Sequence, residues 1–105
     1  GREGGIIARI TQPITNTTVH GPLVYVQGAA LGVYALEVAS GRNPQGGWRT
    51  IARGEAIQEG MLGVWQTGDD APGEYTLRLR VTTREGILLE QHVWVRLERK
   101  AGSGN

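Results

Sequence analysis

Asp70-Ala71-Pro72-Gly73-Glu74-Tyr75-Thr76-Leu77-Arg78-Leu79-Arg80-Val81-Thr82 joins a turn to a strand. From Tyr75 to Thr82 apolar and polar residues alternate without a fault, which is the two-residue period of a half-buried strand. Tyr75, Leu77, Leu79 and Val81 are predicted to face a core, and Arg78 and Arg80 to face solvent. The Pro-Gly pair ahead of the strand turns the chain. A Tyr just after such a turn, two residues before an inward position, has the tyrosine-corner arrangement of β-sandwiches, in which the hydroxyl bonds back to loop backbone. An ordinary half-buried strand tyrosine is the alternative. Leu77 stands where an antibody domain carries its second Cys, so packing must replace the disulfide.

Outward from this strand the same period continues. Gln91, Val93, Val95 and Leu97 share one face of the next predicted strand and His92, Trp94 and Arg96 the other, across a turn at Arg84-Glu85-Gly86. The two strands are expected to form a hairpin. The stretch 87–101 lacks Gly and Pro, but its apolar residues cluster at 93, 94, 95 and 97 and leave 90 and 91 polar, against a helical face. Upstream, 6–11, 23–27, 33–38, 48–52 and 61–65 read as strands between breakers at Pro13, Gly21-Pro22, Gly28, Gly32, Gly41 to Gly47, Gly54, Gly60 and Gly68 to Gly73. Seven short strands at this spacing predict an all-β, seven-stranded antiparallel β-sandwich. The expected core is Tyr34, Leu36, Val38, Tyr75, Leu77, Leu79, Val81, Val93 and Val95, with Trp48 or Trp65 as the central filler.

The 105 residues include 17 Gly and no Cys. Gly is about twice its usual share, but it follows no three-residue period and sits among abundant Val, Ile and Thr, so collagen-like and disordered readings fail. Residues 1–5 read as a flexible linker, 6–99 as one domain and 100–105 as a flexible tail. The chain begins at Gly1 rather than Met, which suggests a piece of something longer. A net charge of +1 with dispersed basic residues gives no footprint for nucleic acid. No apolar run is long enough for membrane insertion of this segment. A chain this short has room for one core but not for a core and a deep cleft, so a non-enzymatic module is expected. Composition leaves the compartment open.

A set of core and turn residues carries a resemblance: Ile10-Thr11-Gln12-Pro13-Ile14, Val24-Tyr25-Val26-Gln27-Gly28, Tyr34 to Gly41, Asn43-Pro44 with Trp48 and Ile51, Gly60 to Thr67, and Gly73 to Val81. Together they resemble the immunoglobulin-like or fibronectin type III-like accessory domains of bacterial cell-envelope proteins, including some multimodular penicillin-binding proteins. The resemblance implies an extracytoplasmic setting at the bacterial cell envelope or surface. It also implies a spacer or domain-interaction role toward neighbouring domains of the same polypeptide or another envelope protein.

Sites of chemistry are sparse. Of the two serines, Ser40 and Ser103, neither lies in a nucleophile-elbow pattern, so no catalytic residue is assigned. His20 and His92 are far apart and Asp69-Asp70 lacks the alternation of a calcium loop; a solvated polar turn explains the acidic pair, and no metal or cofactor is expected. The Asn16-Thr17-Thr18 triplet is a chance-level sequon. Lys100, the single Lys, lies at the tail boundary, which excludes a buried-lysine isopeptide crosslink. The most informative surface is the outer face of the last hairpin. There Arg78 and Arg80 are expected beside Trp94, with His92, Arg96, Glu90 and Glu37 nearby. That composition fits an interface, but a wet sheet face laced by ion pairs and cation–π contacts is the favoured reading, since single exposed aromatics are normal. Weak glycan binding is the narrower version of the interface reading.

Overall fold

The computed structural model describes residues 8–98. The alternating stretch becomes β5 (Gly73–Thr82), a central strand with β3 (Leu23–Ser40) on one side and β6 (Leu88–Glu98) on the other. In register, Leu36, Leu79 and Gln91 stand in one row, and Glu37, Arg78 and His92 in the next. The remaining strands are β1 (Ala8–Gln12), β2 (Thr17–His20) and β4 (Arg49–Gln66), which makes six among the described residues. The chain is all-β. The strand order is β1-β3-β5-β6-β2, with β4 paired to the other edge of β3.

Two features correct the expectation of a purely antiparallel sandwich of short strands. First, β2 runs parallel to β6, Thr17 opposite Val95 through His20 opposite Glu98, so the sheet is mixed. Second, segments read as separate strands are continuous: 23–27 with 33–38 in β3, and 48–52 with 61–65 in β4. The glycines between them are points of close approach, not stops. A Cβ on Gly28 would lie 1.9 Å from the Arg9 carbonyl oxygen, and one on Gly32, whose φ is +152°, 2.3 Å from that of Thr82. Here β3 leaves its pairing with β1 and takes up β5. Its partner changes from Ala8 at Ala30 to Thr82 at Val33.

The β3–β4 ribbon also closes over the core. The Tyr34 hydroxyl donates to the Leu62 carbonyl at 2.8 Å. A Cβ on Gly63 would stand 2.6 Å from the Ala52 Cβ and 3.1 Å from Leu36 Cδ2. The far half of β4 therefore lies across the near half of the same ribbon, and the sheet curls upon itself. Val26, Leu36, Val38, Trp65, Leu77, Leu79, Val81 and Val95 fill the interior. Each such side chain contributes about 1.5–3 kcal/mol by leaving water. All the expected core residues are buried except Tyr75, which is half-buried against the cluster. The expected linker 1–5 and tail 100–105 lie outside the described residues.

Candidate functional site

Strand parity sends Glu37, Thr76, Arg78, Arg80, Glu90, His92 and Trp94 to the outer face of β4-β3-β5-β6. Arg78 is the hub. Its Nε and Nη2 each lie 2.7 Å from Glu37 Oε1, and the two side chains retain only 17% and 13% of their exposure. The guanidinium lies 3.9 Å from the centre of the Trp48 ring, and Trp48 in turn stands 6.1 Å from the His92 ring at 39°. Glu37, Arg78 and His92 are directly opposite across three strands, so the row is built by register. Trp48 shares the parity of Thr50, the residue paired with Glu37. A cation over an indole contributes about 0.5–2 kcal/mol, more as water is excluded.

A second pair lies two rows away, the next row on the same face. Trp94 stands opposite Thr76 and carries Arg42, whose guanidinium is 3.9 Å from the ring centre. The Trp94 amide donates to Thr15 Oγ1 at 3.3 Å, and its carbonyl accepts from the Asn16 amide at 2.7 Å, so the segment before β2 holds it. The Thr76 hydroxyl donates to the Gly41 carbonyl at 2.7 Å, tying the Arg42 loop to β5. Around these rows Arg80 faces Glu90 at 3.0 Å, Glu90 faces His92 at 3.6 Å and Arg96 faces Glu74 at 3.7 Å.

Sequence reasoning placed Arg78, Arg80, His92, Trp94 and Arg96 on one face, and the structure puts them there. Two details differ. The cation on Trp94 is Arg42, from the β3–β4 connection, and not Arg78 or Arg80, because Trp94 faces Thr76 across the hairpin. Trp48 is not a core filler: it is half-buried on the outer face, and Trp65, at 1% exposure, fills the interior.

At the other end of β5 the tyrosine corner is present. The Tyr75 hydroxyl donates to the Ala71 carbonyl at 2.6 Å, and its ring meets Trp65 edge-on at 5.1 Å. Beside it Asp70, expected as a solvated turn residue, is instead a structural acceptor. Its oxygens take Arg49 Nη1 at 3.1 Å and Nη2 at 2.6 Å, and Oδ2 also accepts from Trp65 Nε1 at 3.0 Å. The hydrogen bonds from Arg49 hold this carboxyl below the usual carboxylate range, with a smaller push from Trp65 working against burial. Arg49 and Asp70 are 21 residues apart, and only the curled sheet brings them together.

Among the described residues no group of three or more His, Cys, Asp or Glu stands close enough to hold one metal ion. His20 lies 4.0 Å from Glu98 and His92 3.6 Å from Glu90, and among the described residues neither pair has a third His, Cys, Asp or Glu beside it to complete a metal site.

No family model matches the chain, and no curated protein matches it. Among solved structures, the fold is similar to the crystal structure of CopC from Methylosinus trichosporium OB3b, with a TM-score of 0.52 and 13% identity, over 91% of this chain and 95% of that one. At that identity the likeness is one of fold. It overturns the expected assignment to a spacer or accessory module of a bacterial envelope protein of the penicillin-binding type, since the fold is similar to that of CopC and no comparison returned such a module.

Proposed function

We propose that the chain is a non-catalytic recognition domain that engages a protein partner through the outer face of β4-β3-β5-β6. The observation that carries this reading is the Glu37–Arg78–Trp48–His92 row, an arginine and a tryptophan held rigid on an otherwise wet sheet. Trp and Arg dominate interface hot spots because they bury large area at small entropic cost once their rotamers are fixed. Trp48 and Trp94 each have a ring face covered by a guanidinium, which favours a protein partner over a sugar that needs open, coplanar aromatic faces. Glu37 with Arg78, and Glu90 with Arg80 and His92, are engaged with one another on this face, and this supports the non-catalytic reading. The finer description of the curled sheet as an immunoglobulin-like or fibronectin type III-like sandwich, and an extracytoplasmic setting, belong to the same proposal.

A photo-crosslinking residue placed at Trp94 tests it in the producing cell, with Tyr25, exposed on the outer side of the β3–β4 ribbon's other half, as the control position. A discrete protein adduct from position 94 and none from position 25 is expected. Equal capture at both, or none at 94, refutes the reading. Metal handling is the second reading, brought by the likeness to CopC. Its best footholds are the His92–Glu90 and His20–Glu98 pairs, and a copper(II) titration followed at the two imidazoles separates it from the first.

A further inference from the structure

Beyond the Arg78 row, toward the opposite end of the same face, β3 places an alanine between two arginines. Ala35 is directly opposite Arg53 on β4 and directly opposite Arg80 on β5. Neighbouring strands are about 4.8 Å apart, so the two arginines rise about 10 Å from each other across a methyl group. The missing bulk leaves an open hollow of about 310 Å³, lined by Val33, Ala35, Arg53, Arg80, Thr82 and Leu88. One end is apolar and wet: Val33 is 59% exposed and Leu88 47%.

The arginines are incompletely satisfied. Glu90 Oε2 lies 3.0 Å from Arg80 Nε but off the axis of its N–H, so the contact is an ion pair, and that N–H is buried without an acceptor. Arg53 is exposed, and among the described residues no carboxylate lies within ion-pair distance of it. Arg53 and Arg80 put positive charge on either side of the hollow, that of Arg80 partly offset by Glu90, while Val33 and Leu88 supply an apolar wall beyond it. A carboxylate is the anion whose planar two-oxygen geometry fits arginine donors. Glu55, opposite Val33 at the apolar end, repels a second negative charge there.

We infer that the hollow over Ala35 binds a small aliphatic monocarboxylate, head between Arg53 and Arg80 and chain along Val33 and Leu88. Its size, at the lower end of ligand sites, suits a short chain and not a peptide. The inference does not depend on the protein-recognition reading, because the crosslinking position at Trp94 is not among the residues that line the hollow.

The test is a titration of the isotopically labelled protein with hexanoate, followed by amide shifts. Saturable shifts centred on Ala35, Thr82 and Leu88 are expected, with a Kd on the order of 1 mM. Hexanol and adipate should each bind about tenfold more weakly, since one lacks the charge and the other meets Glu55. Arg53→Ala, an exposed substitution that leaves the fold's spectrum unchanged, should also weaken hexanoate severalfold. Hexanol binding as well as hexanoate, an unaffected Arg53→Ala variant, or no saturable shifts would overturn the inference. Acetyl-leucine amide matching hexanoate would overturn it too, because it carries the chain without the carboxylate.

Discussion

Replacing Asp70 with Ala removes two interactions of different kinds, and their sizes follow from exposure. Arg49 is 54% exposed in its side chain and Asp70 16%. Water therefore screens the ion pair, which contributes at most about 1 kcal/mol. Trp65 is almost wholly interior. Its Nε1–H, left without an acceptor in a part-buried position, costs about 1–2 kcal/mol. The expected loss for Asp70→Ala is about 2 kcal/mol, or roughly 8–16 °C in Tm for a domain of this size. Arg49→Ala should cost no more than about 1 kcal/mol, because Asp70 keeps its tryptophan bond. Asp70→Asn, which retains an acceptor for the indole but drops the charge, should fall between them. Urea unfolding followed by far-ultraviolet circular dichroism measures all three. The sign of the pH dependence gives a second check. The folded Asp70 carboxyl lies below its unfolded value of about 3.9, so its contribution is complete above that pH and is lost as the pH falls through the lower, folded value. The acid limb of the wild-type stability curve should thus be steeper than that of Asp70→Asn. Equal costs for Asp70→Ala and Arg49→Ala, with identical acid limbs, would refute the assignment of the larger share to Trp65.

Tyr75→Phe loses the hydroxyl bond to Ala71 and should destabilise by about 1 kcal/mol with ring packing on Trp65 retained; a neutral result in the same unfolding assay removes the corner from the stability account. Gly32→Ala forces a Cβ to 2.3 Å from the Thr82 carbonyl oxygen at a positive φ, and should cost about 2 kcal/mol or more and disturb the β3–β5 pairing, read as loss of amide protection at Val33 and Tyr34. Arg78→Ala strands Glu37 on the sheet and should cost about 2 kcal/mol. Arg42→Ala, whose exposed guanidinium only stacks on Trp94, should cost under about 1 kcal/mol. If the two arginine variants are equally stable by thermal unfolding, the Glu37–Arg78 row is not rigid.

What was legible in the chain depended on whether a residue's role is set by its neighbours in sequence or across the fold. The alternation of 75–82 and of 91–97 needs no partner to be read, and both strands, their inward residues and the hairpin followed from it. The Pro72-Gly73-Glu74-Tyr75 order likewise carried the corner, since Ala71 and Tyr75 lie within one turn. Gly28 and Gly32 were opaque for the opposite reason. A glycine that ends a strand and one that lets two strands cross look identical until the carbonyls of Arg9 and Thr82 are placed beside them. Strand β2 has too little alternation in Thr17-Thr18-Val19-His20 to announce itself, and exists because β6 offers a free edge for parallel pairing. Asp70 belongs to the same class, its role being set by Arg49.

Trp48 is the instructive intermediate. Its side was recoverable, because once Glu37 and Thr50 are known to pair, position 48 must share their outer face. Hydrophobicity alone ranks Trp48 and Trp65 equally as core residues, whereas parity separates them. The consequence reaches the proposed function. Trp48 is placed outward by register and covered by Arg78, which Glu37 anchors, so the order of the row depends on that one carboxylate. The Glu37→Gln variant isolates this point: it leaves the shape of the row intact and weakens only the charge that fixes Arg78. Stability should fall by about 1 kcal/mol, and crosslinking from position 94 should fall with it if a rigid row is what the partner recognises. Crosslinking unchanged in a variant whose Trp48 has become mobile, seen as broadened indole resonances, would show that the partner does not depend on the Glu37–Arg78–Trp48 row.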